Sequence, residues 1–317
     1  MIRSLIIRRA ATGLLILWLI SVLVFVAIHL LPGNAATGLL GHDATPAALK
    51  MLTRQLGLDR PLPDQYGHWI SGMLSGHWGN SLVSSLSVSQ IVLTHLEYTG
   101  VLTLLSMVVM APVALIVGTY SATRSGGPAD NAVSAVTLCL SAVPAFAIGI
   151  LVIYLLATNV LHVLPAASLV NPAVPIWSQL KFTIAPAIAV VLSVIPYPIR
   201  MVRASMIDVM QSDYVQMARL KGLPERQVIM RHALRNGLAP MIQALALTLL
   251  FLSGGVIVIE TVFSYPGIGY ALIQAVEQRD VPVIQTVVVL LAAACVVINF
   301  LADLAVIILT PRLRAAL

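Results

Sequence analysis

Six long apolar stretches dominate this sequence, and they constrain its fold more than any other feature. They run approximately through residues 10–31, 99–120, 132–157, 182–201, 241–263 and 284–309. A helix of about 20 apolar residues is long enough to cross about 30 Å of hydrocarbon. Because the backbone polar groups find no water there, only helices or closed barrels can satisfy them. We therefore predict an all-α membrane protein with six transmembrane helices.

The low charge of the chain supports the same class. Only 9% of its 317 residues are charged, whereas about 25% are charged in a typical soluble domain. Arg3, Arg8 and Arg9 precede the first apolar stretch, as basic residues do in a secretory signal peptide. That stretch is too long for a usual signal core and has no clear small-residue cleavage site. We therefore predict an uncleaved first span.

The basic residues predict the orientation. With the N-terminus inside, thirteen of the eighteen Lys and Arg residues lie on the cytoplasmic side and five on the other, in agreement with the positive-inside rule. Both termini are then cytoplasmic. Residues 1–317 form a single transmembrane domain, with an extracytoplasmic segment at about 32–98 and a cytoplasmic loop at about 202–240. This topology explains the net charge of +6, so we expect no nucleic-acid partner.

The loop at about 202–240, hereafter the basic loop, concentrates charge between two apolar stretches. Ser205 is a candidate helix cap, and Gly222 is suited to end the helix because glycine tolerates a left-handed backbone. Pro224 and Glu225 then favour the start of a second helix. The pattern predicts a helix, a tight turn and a helix. The alternative is a solvated loop that only fixes the topology.

The extracytoplasmic segment combines helix signals with interfacial aromatic residues. Thr45 and Pro46 are typical of a helix start, and Trp69 and Trp78 are typical anchors at a membrane interface. We predict one or two amphipathic helices at the membrane surface. They would form either a docking face or a lid over the helix bundle.

Several motifs occur in the order found in one transporter family. They are "LPGNA" after the first span, "QLGLDRPLPDQY" at 55–66, Ala218, Gly222 and "LRNGLAP" in the basic loop, "ETVFSYPGIGYAL" at 260–272 and "EQRDVPVIQ" at 277–285. The chain resembles the permease subunits of ATP-binding-cassette (ABC) importers that serve dipeptides, oligopeptides or nickel. The resemblance covers nearly the whole chain and implies a type I ABC importer permease architecture. The sequence departs from the family pattern at Gln216, Met217 and Asn34.

The resemblance implies a subunit of the bacterial cytoplasmic (inner) membrane that translocates peptides, most readily dipeptides, by alternating access. A nickel chelate or another small solute is the alternative cargo. The implied partners are a second homologous permease, two ABC ATPase subunits or a two-headed ATPase pair, an extracytoplasmic substrate-binding protein and membrane lipid. ATP and Mg would be used by the ATPase subunits, and this chain would bind no cofactor. The implied ATPase-coupling residues are Ala218, Arg219, Lys221, Gly222, Leu223, Pro224, Glu225, Arg226 and Arg231.

Two further groups of residues are candidate sites. Asn299 and Asp303 lie four residues apart in the last apolar stretch, where they favour polar contacts between helices over substrate binding. The resemblance favours gating or docking for the segment 260–280, with a plain solvated connection as the alternative. We expect Glu277, Arg279 and Asp280 to bring charge to the outer face. The candidate gate or docking residues are Glu260, Tyr265, Pro266, Gly267, Gly269, Glu277, Arg279 and Asp280.

The sequence carries no signal for chemistry of its own. None of the three lysines is followed by Ser or Thr, as a phosphate-binding P-loop requires, so the chain is not expected to hydrolyse ATP. The seven histidines show no paired ligand spacing, and we predict no metal site. An ion-coupled secondary transporter would show repeated halves and buried ionisable pairs, and a membrane enzyme would show a catalytic motif. Both rank below the importer permease.

Overall fold

The computed structural model describes residues 2–30, 45–55, 59–158, 161–171, 174–234, 237, 244–245, 247–249 and 256–309. Across these residues the secondary structure is helical, apart from one isolated bridge between Asn80 and Ser87. The chain divides into two compact units. The first comprises Met1–Ile6, Gly100–Tyr265 and Val297–Leu317, and the second comprises Ile7–Thr99 and Pro266–Val296.

Three helices are long and apolar enough to cross a membrane. They are α1 (Ile2–Leu30), α4 (Val88–Thr123) and α11 (Val281–Leu309). They contain the predicted first, second and sixth spans within the described residues. Helix α4 begins eleven residues before the predicted start at 99, because the half-polar segment 88–98 continues the helix without a glycine or proline to break it.

Two shorter helices precede α4. Helix α2 runs through Pro46–Gln55 and α3 through Leu62–Ser75, so the prediction of helices between the first two spans is confirmed for the described residues. The end of α3 is fixed by Gly76, whose φ of 78° lies in the left-handed region that glycine adopts without a steric penalty. Residues 31–44, which contain the "LPGNA" motif, lie outside the described residues. So do residues 56–58 of the motif at 55–66.

The predicted third span is not one straight helix. Helix α5 (Pro128–Ala142) and α6 (Ala145–Ile153) meet at an angle of 101°. Pro144 lacks the N–H that an uninterrupted helix needs, and Val143 is extended, with ψ near 127°, as the residue before a proline prefers. The segment 132–157 is therefore a broken span or a re-entrant segment.

The predicted fourth span is bent as well. Helix α7 (Lys181–Val194) and α8 (Pro196–Met210) meet at 45°, and Pro196 occupies the first turn of α8. If each bent pair counts as one crossing, the described residues contain up to five candidate spans. Ten residues of the predicted fifth span, 241–263, lie outside the described residues, and within the described part 244–245, 247–249 and 256–262 are helical.

After α8 the chain forms the short helix α9 (Asp213–Leu220), a single helical turn at Glu225–Gln227 and a π-helical stretch at Val228–Ala233. Helix α10 (Ile268–Glu277) precedes α11. In the second unit the start of α4 packs against α10 and α11, and their buried residues include Val88, Val92, Ile268 and Val287. This core holds the termini of the long helices in a fixed arrangement.

Candidate functional site

The basic loop folds as a helix, a turn and a helix, as the positions of Gly222 and Pro224 predict. Gly222 ends α9 with a φ of 75°, and the N–H of Leu223 donates to the carbonyl of Ala218 across the turn. A Cβ at Gly222 would meet no atom within 4 Å, so the requirement for glycine is one of backbone conformation and not of space. Pro224 then occupies the cap of the next helical turn, and Glu225 is its first residue.

The predicted start of the loop helix is wrong. Ser205 lies inside α8, which continues to Met210, and the new helix begins after Ser212. Ser212 takes the extended conformation of a cap residue, with ψ at 148°. Its hydroxyl donates to the carbonyl of Val209 instead of accepting from α9. The chain therefore turns between α8 and α9, where the sequence predicts a continuous helix.

A small hydrophobic core lies between the basic loop and the ends of α4 and α8. It contains Val202, Met206 and Met210 of α8, Val215 and Ala218 of α9, Val228 and Ala233 of the π-helical stretch, and Ala122 at the end of α4. Each fully buried Val or Met side chain contributes about 1.5–3 kcal/mol of burial free energy. The loop is therefore packed onto the ends of α4 and α8 as one body.

An ion pair closes the turn of the basic loop. The Arg219 guanidinium donates from Nη2 to Glu225 Oε1 at 2.7 Å and from Nε to Oε2 at 3.2 Å. This hydrogen bonding lowers the pKa of the Glu225 carboxyl below its ordinary value. The two side chains are 40% and 54% exposed, so water screens the pair and its net contribution is small. Its geometric effect is to fix α9 relative to the following helical turn.

The outer surface of the basic loop presents both apolar and cationic groups. Tyr214, Met217 and Leu220 recur every three residues on α9, and Leu220 is 82% exposed. Exposed side chains at Lys221, Arg226 and Arg231 accompany them. Exposed apolar residues of this size that share one helix face mark a contact surface for another protein or for lipid.

An ion pair with a buried carboxylate joins three helices of the same unit. Asp130, at the start of α5, is 2% exposed. Its carboxylate accepts hydrogen bonds from Arg203 Nε at 2.6 Å and Nη2 at 2.7 Å. It also accepts from Ser121 Oγ of α4 at 2.5 Å and from the Gly126 N–H at 2.9 Å. This cluster, hereafter the Asp130 clamp, ties α4 and α5 to α8, which leads into the basic loop.

The candidate gate residues belong to two units. In the first unit, Glu260 and Tyr265 are fully buried. The Tyr265 N–H donates to the carbonyl of Glu260 at 2.7 Å, and Ser264 between them has a φ of 49°. The segment therefore closes its helix with a non-glycine residue in the left-handed conformation, a position that costs backbone strain.

In the second unit, Pro266 and the cap residue Gly267 precede α10, and Gly269 lies in its first turn. Glu277 and Arg279 are exposed at its other end. Asp280 does not face outward as expected, since it is 4% exposed. Its carboxylate accepts from Ser81 Oγ at 2.5 Å and from the Leu82 N–H at 3.1 Å. Asp280 therefore fixes the segment that leads into α4.

The last candidate pair lies on α11. Asn299 is exposed and Asp303 is half-buried. They share one face of the helix because four residues span about one turn. Among the described residues no three His, Cys, Asp or Glu side chains are grouped as a metal site.

Sequence reasoning missed the Asp130 clamp and the apolar face of α9. Asp130 and Arg203 are 73 residues apart, so no local pattern joins them. An available signal was the position of each charge beside an apolar stretch, where an unpaired charge is expensive. The face formed by Tyr214, Met217 and Leu220 could have been found from the recurrence of large apolar residues every three positions in the sequence.

Comparison with known proteins gives a family for this architecture. Residues 114–315 match the family described as binding-protein-dependent transport system inner membrane component, and residues 1–97 match its N-terminal membrane component. A probable peptide ABC transporter permease of Sinorhizobium fredii is 34% identical over 98% of both chains. Glutathione transport system permeases of Pectobacterium atrosepticum and Escherichia coli K12 are 36% and 34% identical, each over 94% of both chains.

These matches cover both ends of the chain and the basic loop between them. The predicted resemblance is confirmed, together with a multi-pass location in the bacterial inner membrane and a transport role in which the ATPase is carried by separate subunits. The chain belongs to the family of inner membrane permease components of binding-protein-dependent ABC importers.

Proposed function

We propose that this chain forms half of a peptide-translocating pathway and receives the force of ATP hydrolysis through its basic loop. The observation that carries the proposal is the exposed face of Tyr214, Met217 and Leu220 on a helix that is packed onto α4 and α8. A projection held this firmly can transmit a displacement, whereas a flexible loop would absorb it.

The chemistry of the exposed face suits an ATPase subunit as the docking partner. Apolar side chains of α9 would enter a groove of that subunit, and Lys221, Arg226 and Arg231 would form a cationic rim around them. A buried apolar centre with a charged rim is the usual anatomy of a protein interface. The pair of Arg219 and Glu225 keeps the turn in shape while the partner is absent.

The Asp130 clamp gives this force a route into the membrane. A push on α9 moves α8 through their shared core, and the ion pair between Arg203 and Asp130 carries the movement to α5 and α4. Alternating access follows if these helices move as a unit against a second, homologous permease. Two ATPase subunits, which use ATP and Mg, and an extracytoplasmic binding protein complete the proposed assembly.

The proposed topology has six spans with both termini in the cytoplasm. The excess of basic residues on one side supports it, and it places the basic loop where ATP is available. The fifth crossing would be the predicted segment 241–263. Helix α3 and the start of α11 would then lie toward the extracytoplasmic side.

Peptides are the proposed cargo. The curated relatives are named for peptide and glutathione transport, and glutathione is itself a short peptide. Dipeptides are our first choice because the sequence motifs are those of the dipeptide, oligopeptide and nickel importers. The importer reading needs no catalytic residue in this chain, since the partner subunits supply the chemistry.

Replacement of one exposed leucine tests the coupling role. We expect Leu220→Asp to abolish co-purification of the ATPase subunits with the tagged chain, because a carboxylate cannot be buried in an apolar groove. The matched control is Leu74→Asp on α3, an 84% exposed leucine outside the basic loop, which should retain the ATPases. Equal recovery of ATPases by both variants would contradict the proposed docking face.

A further inference from the structure

A cavity of about 890 Å³ lies entirely within the second unit. Its walls come from the end of α1, from α3, from the segment 77–82 and from the first turns of α11. Its volume falls in the range of about 300–1,000 Å³ typical of small-molecule sites. The coupling route described above does not use it, because that route lies in the first unit.

Hydrogen bonds and ring contacts hold the walls of the cavity in place. Phe25 of α1 stacks on Trp69 of α3 with ring centroids 5.9 Å apart. The Trp78 indole N–H donates to the carbonyl of Met73 at 3.2 Å. Asp280 fixes the segment at Ser81 and Leu82. The cavity is therefore formed in advance and does not need a ligand to assemble it.

A buried amide side chain forms part of the cavity wall. Gln285 of α11 lines the cavity and is only 6% exposed. Its side-chain amide offers one acceptor, the C=O, and one donor group, the NH₂. A ligand in the cavity that carries both a donor and an acceptor can pair with the two groups.

The charge of the lining selects the sign of the ligand. Arg60 lines the cavity, and no Asp or Glu is among the described residues that line it. Trp69 and Trp78 add apolar faces. A guanidinium binds a carboxylate by two parallel hydrogen bonds more strongly than it binds a neutral group. The cavity therefore suits an anion that carries an apolar body.

We propose that this cavity binds the carboxylate end of a short peptide on its way from the binding protein to the translocation pathway. The proposal rests on the proposed function and names a second contact for its cargo, outside the pathway. Arg60 pairs with the terminal carboxylate, Gln285 pairs with the adjacent peptide bond, and the aromatic faces receive a side chain. A peptide bond offers both a donor and an acceptor to the Gln285 amide, whereas a lipid phosphodiester offers only acceptors.

Direct binding to the purified permease complex tests this site. The complex is placed in nanodiscs without its binding protein and dialysed against radiolabelled alanyl-phenylalanine or its C-terminal amide. We expect saturable binding of the free acid and at least tenfold weaker binding of the amide, because a charge-assisted hydrogen bond is lost. Equal binding of the two compounds would overturn the proposal.

Two variants with matched controls locate the binding. Arg60→Gln and Gln285→Leu should each weaken binding of the free acid about tenfold, whereas Arg54→Gln and Gln274→Leu, which do not line the cavity, should leave it unchanged. Gln285→Leu should also melt near the wild-type temperature, because leucine is close to glutamine in size and can fill the same space. Loss of binding without loss of folding then identifies a ligand contact. Binding that is unaffected by either cavity variant would overturn the site.

ATP-driven uptake separates failure of this site from failure of the proposed function. If the complete importer takes up peptide while the permease complex binds none, the cavity site is overturned and the proposed function stands. If phospholipid is retained by the wild type and lost from Arg60→Gln while peptide does not bind, the occupant is a lipid and the peptide site is overturned. If peptide is neither bound nor taken up, both proposals fail.

Discussion

Asp130 shows how one buried residue links distant parts of the chain. Its carboxylate accepts four hydrogen bonds, two of them from Arg203. Removal of the carboxylate charge weakens these hydrogen bonds and leaves Arg203, which is 29% exposed, without its counter-charge. We expect Asp130→Asn to lower the free energy of unfolding by about 1–3 kcal/mol and to reduce the melting temperature of the detergent-purified protein. The exposed Asp208 of α8 provides the control variant, Asp208→Asn, which should melt like the wild type.

If the melting temperatures of the Asp130 and Asp208 variants are equal, the Asp130 clamp is not a stabilising contact. The proposal that the Asp130 clamp transmits force would then lose its support. If Asp130→Asn remains folded, the ratio of ATP hydrolysed to peptide transported can be compared with that of the wild type. A contact that is only structural would leave this ratio unchanged.

Ser264 carries backbone strain that a smaller residue would relieve. Its φ of 49° lies in the left-handed region, where a residue with a Cβ is strained and glycine is not. We expect Ser264→Gly to stabilise the protein by roughly 0.5–1 kcal/mol. Ser264→Val should destabilise it, because a β-branched side chain is least tolerated there. Thermal unfolding of both variants in one detergent checks the order, and a more stable Val variant would contradict the assignment.

At the scale of the element, the turn of the basic loop depends on the conformation of one glycine. Gly222 has open space around it but a φ of 75°. Gly222→Val should distort the end of α9, so we expect membrane insertion to remain normal while ATP-driven uptake falls at least tenfold. Gly222→Asn should retain most uptake, since asparagine tolerates this conformation. Uptake by the Val variant at the wild-type rate would contradict the role of the loop.

The pair of Arg219 and Glu225 gives the same element a pH dependence. The guanidinium of Arg219 lowers the pKa of Glu225 in the folded protein, so the pair stabilises the fold above the ordinary glutamate pKa of about 4.3. The stabilisation is lost as the pH falls through that value and below it. We expect Glu225→Gln to be less stable than the wild type at pH 7 by at most about 1 kcal/mol. The difference in melting temperature should shrink toward pH 3, and a difference that grows on acidification would contradict the pairing.

Elements differ in how far the sequence predicts them. Helices α1 and α11 follow from apolar stretches of sufficient length. The break at Val143 and Pro144 does not, because a proline in an apolar stretch is compatible with a mild kink and also with the observed 101° turn. The outcome is decided by packing. The same holds for Ser205, whose capping chemistry is overridden by the continuation of α8 to Met210.

The candidate site was predictable in part for the same reason. Gly222, Pro224 and Glu225 act through local backbone geometry, which leaves a mark in neighbouring residues. Asp280 pairs with Ser81 across 199 residues, and the sequence therefore favoured an exposed position for it. Long-range polar pairs are set by the tertiary fold, and no periodicity reports them.

At the scale of the whole molecule, the proposed topology makes a labelling prediction. With Cys139 and Cys295 replaced, a single cysteine at Ser84, before α4, should react with a membrane-impermeant maleimide from the extracytoplasmic side. A single cysteine at Gln211, between α8 and α9, should react only from the cytoplasmic side. Labelling of both positions from one side of intact cells would contradict the six-span arrangement with cytoplasmic termini.

ATP-dependent peptide uptake by the co-purified assembly tests the central claim most directly. The tagged chain is isolated from mild-detergent membranes with its partner permease and ATPases, and the complex is reconstituted in liposomes with its binding protein. We expect uptake of a labelled dipeptide that requires both ATP and the binding protein and is lost with Leu220→Asp. Uptake that continues without ATP and is driven by an ion gradient would contradict the account and identify a secondary transporter instead.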